Sequence, residues 1–320
     1  PAPAAVSPED FYKENTIALY TNSSPGSSAD MYARALAAYL PEATGGTVIV
    51  KNLTDAAGTV LYNNMYNGTF KPDGLTLMSV PTGSVWSNFA HDSPGVAYTI
   101  DTFEYLGAAQ EMSGIFTVPA QPPYNSLEAL QNAKEELKFV AMGKSSRVTL
   151  GSVVTIELFN LNAKIVTGFK GGPDRMLAMV QGEAQGCTFP AASAIEYDKA
   201  GKLKILFAVT ENRDALLPDV PSLNEFIEIT DYHRLLLTGL GGNCYFVAAP
   251  PGTPKDRVDF LQAKVAETMD MPAYQKVIGK LAAWGGMRTP EDLAEEAARI
   301  MRDKPKFAPI FKDLIAKYIM

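Results

Sequence analysis

The chain has 320 residues, of which 47% are hydrophobic and 20% are charged, and its formal net charge is -7. This length is sufficient for two domains with a large core, and the composition is typical of globular proteins. The negative charge argues against binding to nucleic acid or to an anionic membrane surface, because both need a basic field. No apolar run approaches the roughly 20 residues that cross a bilayer.

We expect residues 1–15 to form a flexible leader. The first ten residues, PAPAAVSPED, are small residues and prolines with two acidic residues at the end. Such a composition is typical of the stretch that follows a removed signal peptide, and it offers no apolar periodicity for a helix or a strand.

A strand is predicted at residues 16–20, which are apolar and β-prone. The following loop contains Pro25 and Gly26, and its last serines offer hydroxyls to the start of a helix. The helix is predicted from apolar residues at i, i+4, i+7 and i+8, namely Tyr32, Leu36, Tyr39 and Leu40. A small-residue loop at a helix N-terminus exposes backbone N–H groups, which makes it a potential anion site. The alternative is an ordinary connection between a strand and a helix.

The same order of elements recurs twice in the next forty residues. Residues 47–50 form a predicted strand, residues 52–59 a small-residue loop, and a helical pattern follows. Residues 75–80 form the next predicted strand, with a loop at 81–84. This alternation predicts a parallel, doubly wound α/β sheet, in which ligands bind outside the carboxyl ends of the strands.

The pattern restarts after an extended run at residues 103–119 and the Pro122-Pro123 pair. Strands are predicted at 137–142, 164–169, 185–189 and 202–209, and helices at 126–136, 149–160 and 174–180. Polar or glycine-containing loops are predicted between them at 143–147, 170–173 and 190–193. The restart predicts a second domain of similar design.

A second extended run with a glycine break is predicted at residues 235–249, and the chain from residue 256 onward is predicted to be helical. Two extended runs suit a chain that crosses twice between domains, at about 106–115 and 236–246. The predicted organisation is a leader at 1–15, a first domain at 16–112 plus 241–320, and a second domain at 113–240.

Sequence signatures of enzymes are mostly missing. The chain has no phosphate-binding G-x-x-x-x-G-K-[ST], no G-x-S-x-G and no H-E-x-x-H motif. His91 and His233 lack acidic or cysteine partners at metal-ligand spacing, so we interpret both as surface or turn residues. Cys187 and Cys244 are expected to be free thiols, with one disulfide as the alternative. We therefore expect no catalytic residue, no bound metal and no cofactor.

Several short stretches, in a constant order, carry a resemblance to a known family. They are PGSSADMYAR at 25–34, VIVKN at 48–52 with AAG at 56–58, KPDGLTLM at 71–78, GFKGGP at 168–173, AGKLK at 200–204, LPDVPS at 217–222 and APPGTP at 249–254. From residue 16 to the carboxyl end, the sequence resembles the extracytoplasmic solute receptors of tripartite tricarboxylate transporters, the TctC or Bug family.

The resemblance implies an α/β, two-domain periplasmic binding protein of the Venus-flytrap, type II-like class. Two segments would cross between the domains, and the domains would close when a ligand binds. It implies a monomer that binds a small carboxylate-bearing organic acid in the interdomain cleft, and this acid can be aromatic. The receptor would deliver the acid to the membrane permease subunits of the transporter. It also implies a periplasmic location after removal of a signal peptide. A receptor that feeds a sensor kinase and an α/β enzyme acting on an organic acid are the alternatives.

The resemblance also implies which loops bind the ligand. In the first domain, backbone amides and ordered water would hold a carboxylate at Pro25, Gly26, Ser27, Ser28, Ala29, Ala56, Ala57, Gly58 and Thr59, with a third contact region at Thr82, Gly83, Ser84 and Val85. In the second domain, the matching positions are Gly143, Ser145, Ser146, Arg147, Lys170, Gly171, Phe189 and Ala191.

The second-domain loops depart from the family pattern. Val153 stands where the family has a histidine, Gln185 where it has an aspartate, and Phe189-Pro190 where it has Asp-Asn. The loop at 143–149 is longer than in the family and contains Lys144 and Arg147. The departures predict a less acidic, more aromatic pocket, so neither a dicarboxylic amino acid nor citrate is carried over from the family as the ligand.

Four side chains of the predicted pocket have two interpretations each. Arg147 would bind a ligand carboxylate through two hydrogen bonds, because a planar guanidinium matches the geometry of a carboxylate. The alternative is that Arg147, like Lys144, is a solvated loop charge. Tyr20, Trp86 and Phe189 would wall the pocket of an aromatic or long apolar acid, or else pack in the core.

Overall fold

The computed structural model describes residues 6–110, 113–144, 146–169, 171–242, 244–281 and 286–320. Within the described residues, internal contacts divide the chain into two compact units. Unit 1 comprises residues up to 110 and 242–301, and unit 2 comprises residues 113–241 and 302–320. The chain therefore passes between the units at three places, and the third place lies within the last helix.

The helices and strands alternate along most of the chain. In chain order they are α1 (Pro8–Glu14), β1 (Thr16–Thr21), α2 (Ser28–Thr44), β2 (Thr47–Asn52), α3 (Thr59–Tyr66), β3 (Thr76–Pro81), α4 (Thr82–Ala90), β4 (Glu104–Gln110), β5 (Gly114–Pro119), α5 (Leu127–Gln131), β6 (Leu137–Val140), α6 (Arg147–Leu158), β7 (Ala163–Val166), α7 (Gly172–Val180), β8 (Cys187–Pro190), α8 (Ala191–Lys199), β9 (Leu203–Ala208), α9 (Asp231–Gly239), β10 (Cys244–Ala249), α10 (Lys255–Asp270), α11 (Pro272–Leu281), β11 (Met287–Arg288) and α12 (Pro290–Tyr318). The predicted α/β class is confirmed. None of the helices described here is long and apolar enough to cross a membrane.

Unit 1 contains a six-stranded sheet in the order β11-β4-β10-β3-β1-β2. Strands β2, β1 and β3 are parallel, as predicted, but β10 runs antiparallel to both β3 and β4. The predicted parallel pairing therefore holds for β1, β2 and β3 and does not extend to β10. Phe246 pairs with Val80 on one side and Ala108 on the other, so β10 is inserted between strands that lie far from it in sequence.

The sheet of unit 1 is covered on both faces. On one face α2, α10 and α11 bury residues such as Leu36, Leu261 and Ile278. On the other face Trp86 is fully buried, donates a hydrogen bond to the Tyr105 hydroxyl over 3.2 Å and lies 6.1 Å from the Phe246 ring centroid. Trp86 is therefore a core residue.

Unit 2 is built on two small sheets. The antiparallel sheet has β5 between β8 and β9, and β6 pairs with β7 in parallel. Phe116, Phe139, Phe159 and Phe207 form the aromatic core, with neighbouring ring centroids 5.2–5.4 Å apart. The end of the chain belongs to unit 2, because the Tyr318 hydroxyl donates to Glu157 over 2.6 Å. This differs from the predicted first domain, which included all of 241–320.

Three predicted segments differ in local structure. Residues 235–239 lie in helix α9 instead of an extended run, because Thr230 accepts a hydrogen bond from the His233 amide and caps the helix. Residues 82–84 form the first turn of α4 instead of a loop, and the helix predicted at 126–136 ends at Gln131.

Residues 7–15 are ordered in the structure, which differs from the predicted flexible leader. Ser7 caps α1 by accepting a hydrogen bond from the Asp10 amide. Tyr12 is fully buried, stacks on Phe260 with ring centroids 5.2 Å apart, and donates to the Gly74 carbonyl over 3.1 Å. Residues 1–5 lie outside the described residues.

Replacing Tyr12 by alanine should lower the free energy of unfolding by about 3–5 kcal/mol, because a fully buried aromatic ring is removed. Tyr12→Phe retains the ring and loses only the hydrogen bond, so its cost should be about 1 kcal/mol. Val6→Ala is the control, since Val6 is 64% exposed. Urea unfolding measures all three variants. A Tyr12→Ala variant as stable as the parent would contradict the packing of α1.

Candidate functional site

The carboxyl ends of β1, β2 and β3 lie at one edge of the unit 1 sheet, because the three strands are parallel neighbours. Each strand leads into a helix at this edge, namely α2, α3 and α4. The first N–H groups of a helix have no acceptor within the helix, and its N-terminus carries a partial positive charge. We call the three helix starts, residues 25–29, 56–59 and 82–85, the amide site. Its composition fits an anion.

Side-chain contacts bring the three parts of the amide site together. The Ser84 hydroxyl accepts a hydrogen bond from the side-chain Nδ2 of Asn22 over 3.4 Å and forms one with the Tyr62 hydroxyl over 2.7 Å. It also donates to the Pro81 carbonyl over 3.0 Å. Burial raises the pKa of Tyr62, so its hydroxyl stays neutral. Gly58 has a φ of +90°, and a Cβ there would lie 2.5 Å from the Tyr62 hydroxyl. The side chains of Tyr62 and Asn22 therefore pack so closely against the Gly58 backbone that a Cβ at this position would displace them, and the positive φ also favours glycine.

Asp30 fixes the loop before α2. Its carboxylate is 1% exposed and accepts hydrogen bonds from the Gly26 amide over 2.7 Å, from Arg34 Nε over 2.8 Å and from Asn52 Nδ2 over 2.8 Å. Asn52 also donates to the Ser23 carbonyl over 2.7 Å. Burial opposes ionisation of Asp30, but the hydrogen bonds from Arg34, Asn52 and Gly26 hold the pKa of its carboxyl below the usual value.

The hydrogen bonds of the loop divide its amides into two groups. The Gly26 amide donates to Asp30 and the Ser27 amide donates to the Ser24 carbonyl, so both are bound within the protein. The amides of Ser28 and Ala29 belong to the first turn of α2, where helix geometry supplies no acceptor. Of the predicted positions in this loop, Ser28 and Ala29 therefore have the amides best suited to a ligand.

Thr82 acts in the structure through its side chain. Its hydroxyl donates to the Gly242 carbonyl over 2.6 Å and accepts from the Cys244 amide over 3.2 Å. Since Thr82 is fully buried, its hydroxyl holds the start of β10 against α4. Only its backbone is left for the predicted ligand contact.

Sequence reasoning missed the side chains that shape the amide site, namely Asn22, Asp30, Asn52 and Tyr62. Two signals were available. Asn22 and Asn52 each lie at the end of a predicted strand, where polar residues face a ligand edge. Asp30 lies three residues after the N-cap Ser27 and four before Arg34, a spacing that joins their side chains on one helix face.

In unit 2, the predicted positions also lie at helix starts. Ser146 caps α6 by accepting a hydrogen bond from the Thr149 amide over 3.3 Å, Gly171 precedes α7, and Ala191 begins α8. The loops after β6 and β7 are adjacent, because the Gly168 amide donates to the Met142 carbonyl over 2.9 Å. Gly143 is exposed, and Ser145 and Lys170 lie outside the described residues.

Arg147 and Phe189 are held within unit 2. Arg147 is half-buried as the first residue of α6, and its Nε donates to the Gly241 carbonyl over 3.4 Å. Phe189 is fully buried and packs edge-on against the Tyr197 ring at 5.4 Å. In this structure the Phe189 ring is therefore a core group, while a role of Arg147 toward a ligand stays a prediction.

The remaining reactive side chains of the described chain show no catalytic arrangement. Cys187 and Cys244 are both buried free thiols, as expected. Burial raises the pKa of Cys187 to about 11, so it is a protonated thiol at neutral pH. Among the residues that the structure describes, no three His, Cys, Asp or Glu side chains group into a metal site.

An α/β protein of two units, with helix N-termini grouped at the carboxyl edge of each, has the construction of a solute-binding protein. The chain belongs to the tripartite tricarboxylate transporter receptor family, since the TctC family model, described as "Tripartite tricarboxylate transporter family receptor", matches residues 32–310. Members of this family are solute receptors and not enzymes.

Two curated relatives have low identity over long alignments. A UPF0065 protein from the tcbD-tcbE intergenic region of Pseudomonas sp. strain P51 is 23% identical, over 89% of this chain and 83% of its own length. Protein BugT of Bordetella pertussis is 22% identical, over 91% of this chain and 88% of its own length.

Solved structures share the fold. A TctC solute-binding protein from Polaromonas has a TM-score of 0.74 at 22% identity, covering 94% of this chain and 98% of its own. MatC of Rhodopseudomonas palustris, solved with malate, has a TM-score of 0.68 at 22% identity and the same coverage. Another R. palustris protein, solved with adipate, has a TM-score of 0.69 at 18% identity, covering 95% and 98%. These similarities confirm the predicted fold.

The stabilisation from Asp30 should depend on pH. Because the pKa of Asp30 is lower in the folded than in the unfolded chain, ionised Asp30 stabilises the fold, and this contribution disappears as the pH falls below about 4. The parent should therefore be more stable than Asp30→Asn at pH 6, and the difference should shrink toward pH 3. Urea unfolding at pH 6, 4 and 3 measures the difference; a constant value over that range would contradict this assignment.

Proposed function

We propose that the protein is an extracytoplasmic solute receptor that binds a small organic acid by its carboxylate at the amide site. The observation that carries the proposal is the convergence of three helix starts on Asn22, Tyr62 and Ser84. The amide site contains no charged side chain, so an anion there is held by backbone N–H groups and helix dipoles.

The family and its solved members support a carboxylate as the ligand. Malate and adipate, with which two related proteins were solved, are both organic acids. The amide site of this chain suits a carboxylate, because two oxygens can accept several N–H donors at once. Both of these proteins are less than 25% identical to this chain, so their ligands do not identify the ligand of this chain. We therefore propose the chemical class and not the compound.

Transport is the favoured use of the bound acid. The name of the matched family refers to a transporter. This name supports delivery to the membrane permease subunits over the alternative of a sensor kinase. The proposal includes a periplasmic location, with the signal peptide removed, and a monomeric receptor. It retains Arg147 as a ligand contact of unit 2, next to the helix start of α6.

A panel of mono- and dicarboxylic acids, aliphatic and aromatic, tests the proposal by thermal unfolding. A bound acid stabilises the folded state by RT ln(1 + [L]/Kd), about 2.7 kcal/mol at a hundredfold excess over Kd. At least one acid should raise Tm, while the corresponding amide, which lacks the negative charge, should not. If the whole panel leaves Tm unchanged, the carboxylate receptor is the wrong function.

Gly26→Ala tests the approach of the ligand to the loop before α2. Gly26 has a φ of +82°, and no atom lies within 4 Å of the position that an added methyl group would take, so the methyl would extend into open space at the amide site. We expect at least tenfold weaker binding of the acid found in the panel. The unfolding cost should be only about 1 kcal/mol, from the positive φ.

Gly68→Ala is the matched control for Gly26→Ala. Gly68 has a φ of +79° and equally open surroundings, but it follows the opposite end of α3. Both variants should lose similar stability, and only Gly26→Ala should lose affinity in calorimetric titration. Equal affinities of the two variants would remove the loop from the site.

A further inference from the structure

Unit 2 contains a deeply buried arginine in helix α7. Arg175 is 2% exposed and shares the buried face of α7 with Ala178 and Met179. Removing a guanidinium from water is costly, so an arginine is rarely buried to this extent unless a negative charge is paired with it. The partners of Arg175 therefore decide what this side chain does.

The donors of Arg175 are only partly used by the protein. Its Nε donates to the Gly171 carbonyl over 3.3 Å, and its Nη1 donates to the Thr188 carbonyl over 3.1 Å and to Cys187 Sγ over 3.2 Å. A guanidinium has five N–H donors. In the part of the chain that the structure describes, no carbonyl or side chain accepts a hydrogen bond from the two N–H groups on Nη2.

The positive charge of Arg175 is not neutralised within the described residues. None of their carboxylates forms an ion pair with it, and Asp174, its neighbour in the sequence, is exposed. The two carbonyls carry no net charge, and Cys187 is a protonated thiol at neutral pH, because burial raises its pKa to about 11. The groups that hold Arg175 therefore include no counter-ion.

The Phe189 ring brings Arg175 together with two other residues. The ring centroid lies 4.6 Å from the guanidinium carbon and 5.4 Å from the Tyr197 ring centroid. A Cβ added to Gly172 would lie 3.9 Å from the Phe189 ring and 3.1 Å from the Tyr197 hydroxyl. We call Gly172, Arg175, Phe189 and Tyr197 the α7 cluster.

Two neutral donors lie in the α7 cluster beside the guanidinium. Gly172 is the first residue of α7, so its amide has no acceptor within the helix and lies at the positive end of the helix dipole. The Tyr197 hydroxyl is neutral at neutral pH, because burial raises its pKa. The Arg175 side chain is directed toward the same helix end, since its Nε donates to Gly171. A fixed positive charge and two uncharged donors therefore lie around Gly172, which has no side chain.

We propose that the α7 cluster binds a small inorganic monoanion, such as chloride or bromide, as a resident counter-ion of Arg175. A single negative charge matches the single positive charge, whereas a dianion would cost more to remove from water. A halide accepts hydrogen bonds from any direction, which suits donors on a side chain, a helix end and a hydroxyl. The site lies within unit 2, and it does not depend on the proposed receptor function.

Chloride should stabilise the protein, because the α7 cluster exists only in the folded chain. At a chloride concentration of ten times Kd, the equilibrium constant of unfolding should fall about elevenfold. Urea unfolding in sodium chloride and in sodium fluoride at equal concentrations measures this effect at one ionic strength, so screening is the same in both salts. Fluoride is the reference, because it is smaller and retains its hydration shell.

Arg175→Met removes the charge and its donors. Its unfolding should be the same in chloride and in fluoride, whatever the absolute stability of the variant. Arg213→Met is the matched control, because Arg213 also lies in unit 2 but pairs with Glu225 at 45% side-chain exposure; it should retain the chloride effect of the parent. A purely structural Arg175 would instead make Arg175→Met less stable by the same factor in both salts.

Where Arg175→Met does not fold, two further measurements decide. Gly172→Ala leaves Arg175 in place and puts a methyl group 3.1 Å from the Tyr197 hydroxyl, in the space proposed for the ion, so it should lose the chloride effect. The 35Cl NMR line of a dilute chloride solution should broaden when the parent is added, and bromide should reverse the broadening.

Three results would overturn the proposal. Equal unfolding of the parent in chloride and in fluoride, without broadening of the 35Cl line, excludes a halide site. A chloride effect that survives both Arg175→Met and Gly172→Ala places the ion elsewhere in the protein. Stabilisation of the parent by sodium acetate and not by sodium chloride would assign the α7 cluster to carboxylates instead of a resident inorganic ion.

Discussion

The buried carboxylate of Asp30 is the constraint on which the unit 1 site depends. One oxygen accepts the Gly26 amide and Arg34, and the other accepts Asn52, so a loop, a helix and a strand end share one charged group. A buried charge is tolerated only when its hydrogen bonds are complete, and here they come from three different segments. The loop before α2 is thereby held in one conformation before any ligand arrives. Rigid amides bind an anion without the entropy cost of ordering a flexible loop.

The proposed ligand contacts of the two units differ in kind. Unit 1 groups three helix starts around Ser84 and Tyr62, all of them uncharged, and so depends on the geometry of the backbone. Unit 2 instead has a charged side chain among the predicted contacts, Arg147 at the start of α6. In the proposed site, amides fixed by a sheet tolerate different side groups on the ligand, because they contact only its carboxylate.

The mixed sheet of unit 1 is held to helix α4 by one side chain. Strand β10 enters antiparallel between β3 and β4, and Thr82 at the start of α4 binds the backbone at Gly242 and Cys244. The hydroxyl of Thr82 therefore joins the site-forming helix α4 to the strand that returns from unit 2. Because Thr82 is fully buried, that joint is a structural contact.

The sequence by itself determined many of the local elements and the family. The apolar alternation of residues 16–20, the small-residue loop and the helical stripe after it were sufficient for β1 and α2, because strand and helix periods are local properties. Only the tertiary structure decided the antiparallel place of β10, the packing of Tyr12 in α1 and the burial of Arg175. Each of these depends on partners that are distant in sequence, as Tyr12 is from Gly74. Arg175 was visible in the sequence, but its burial becomes evident only when its neighbours are known.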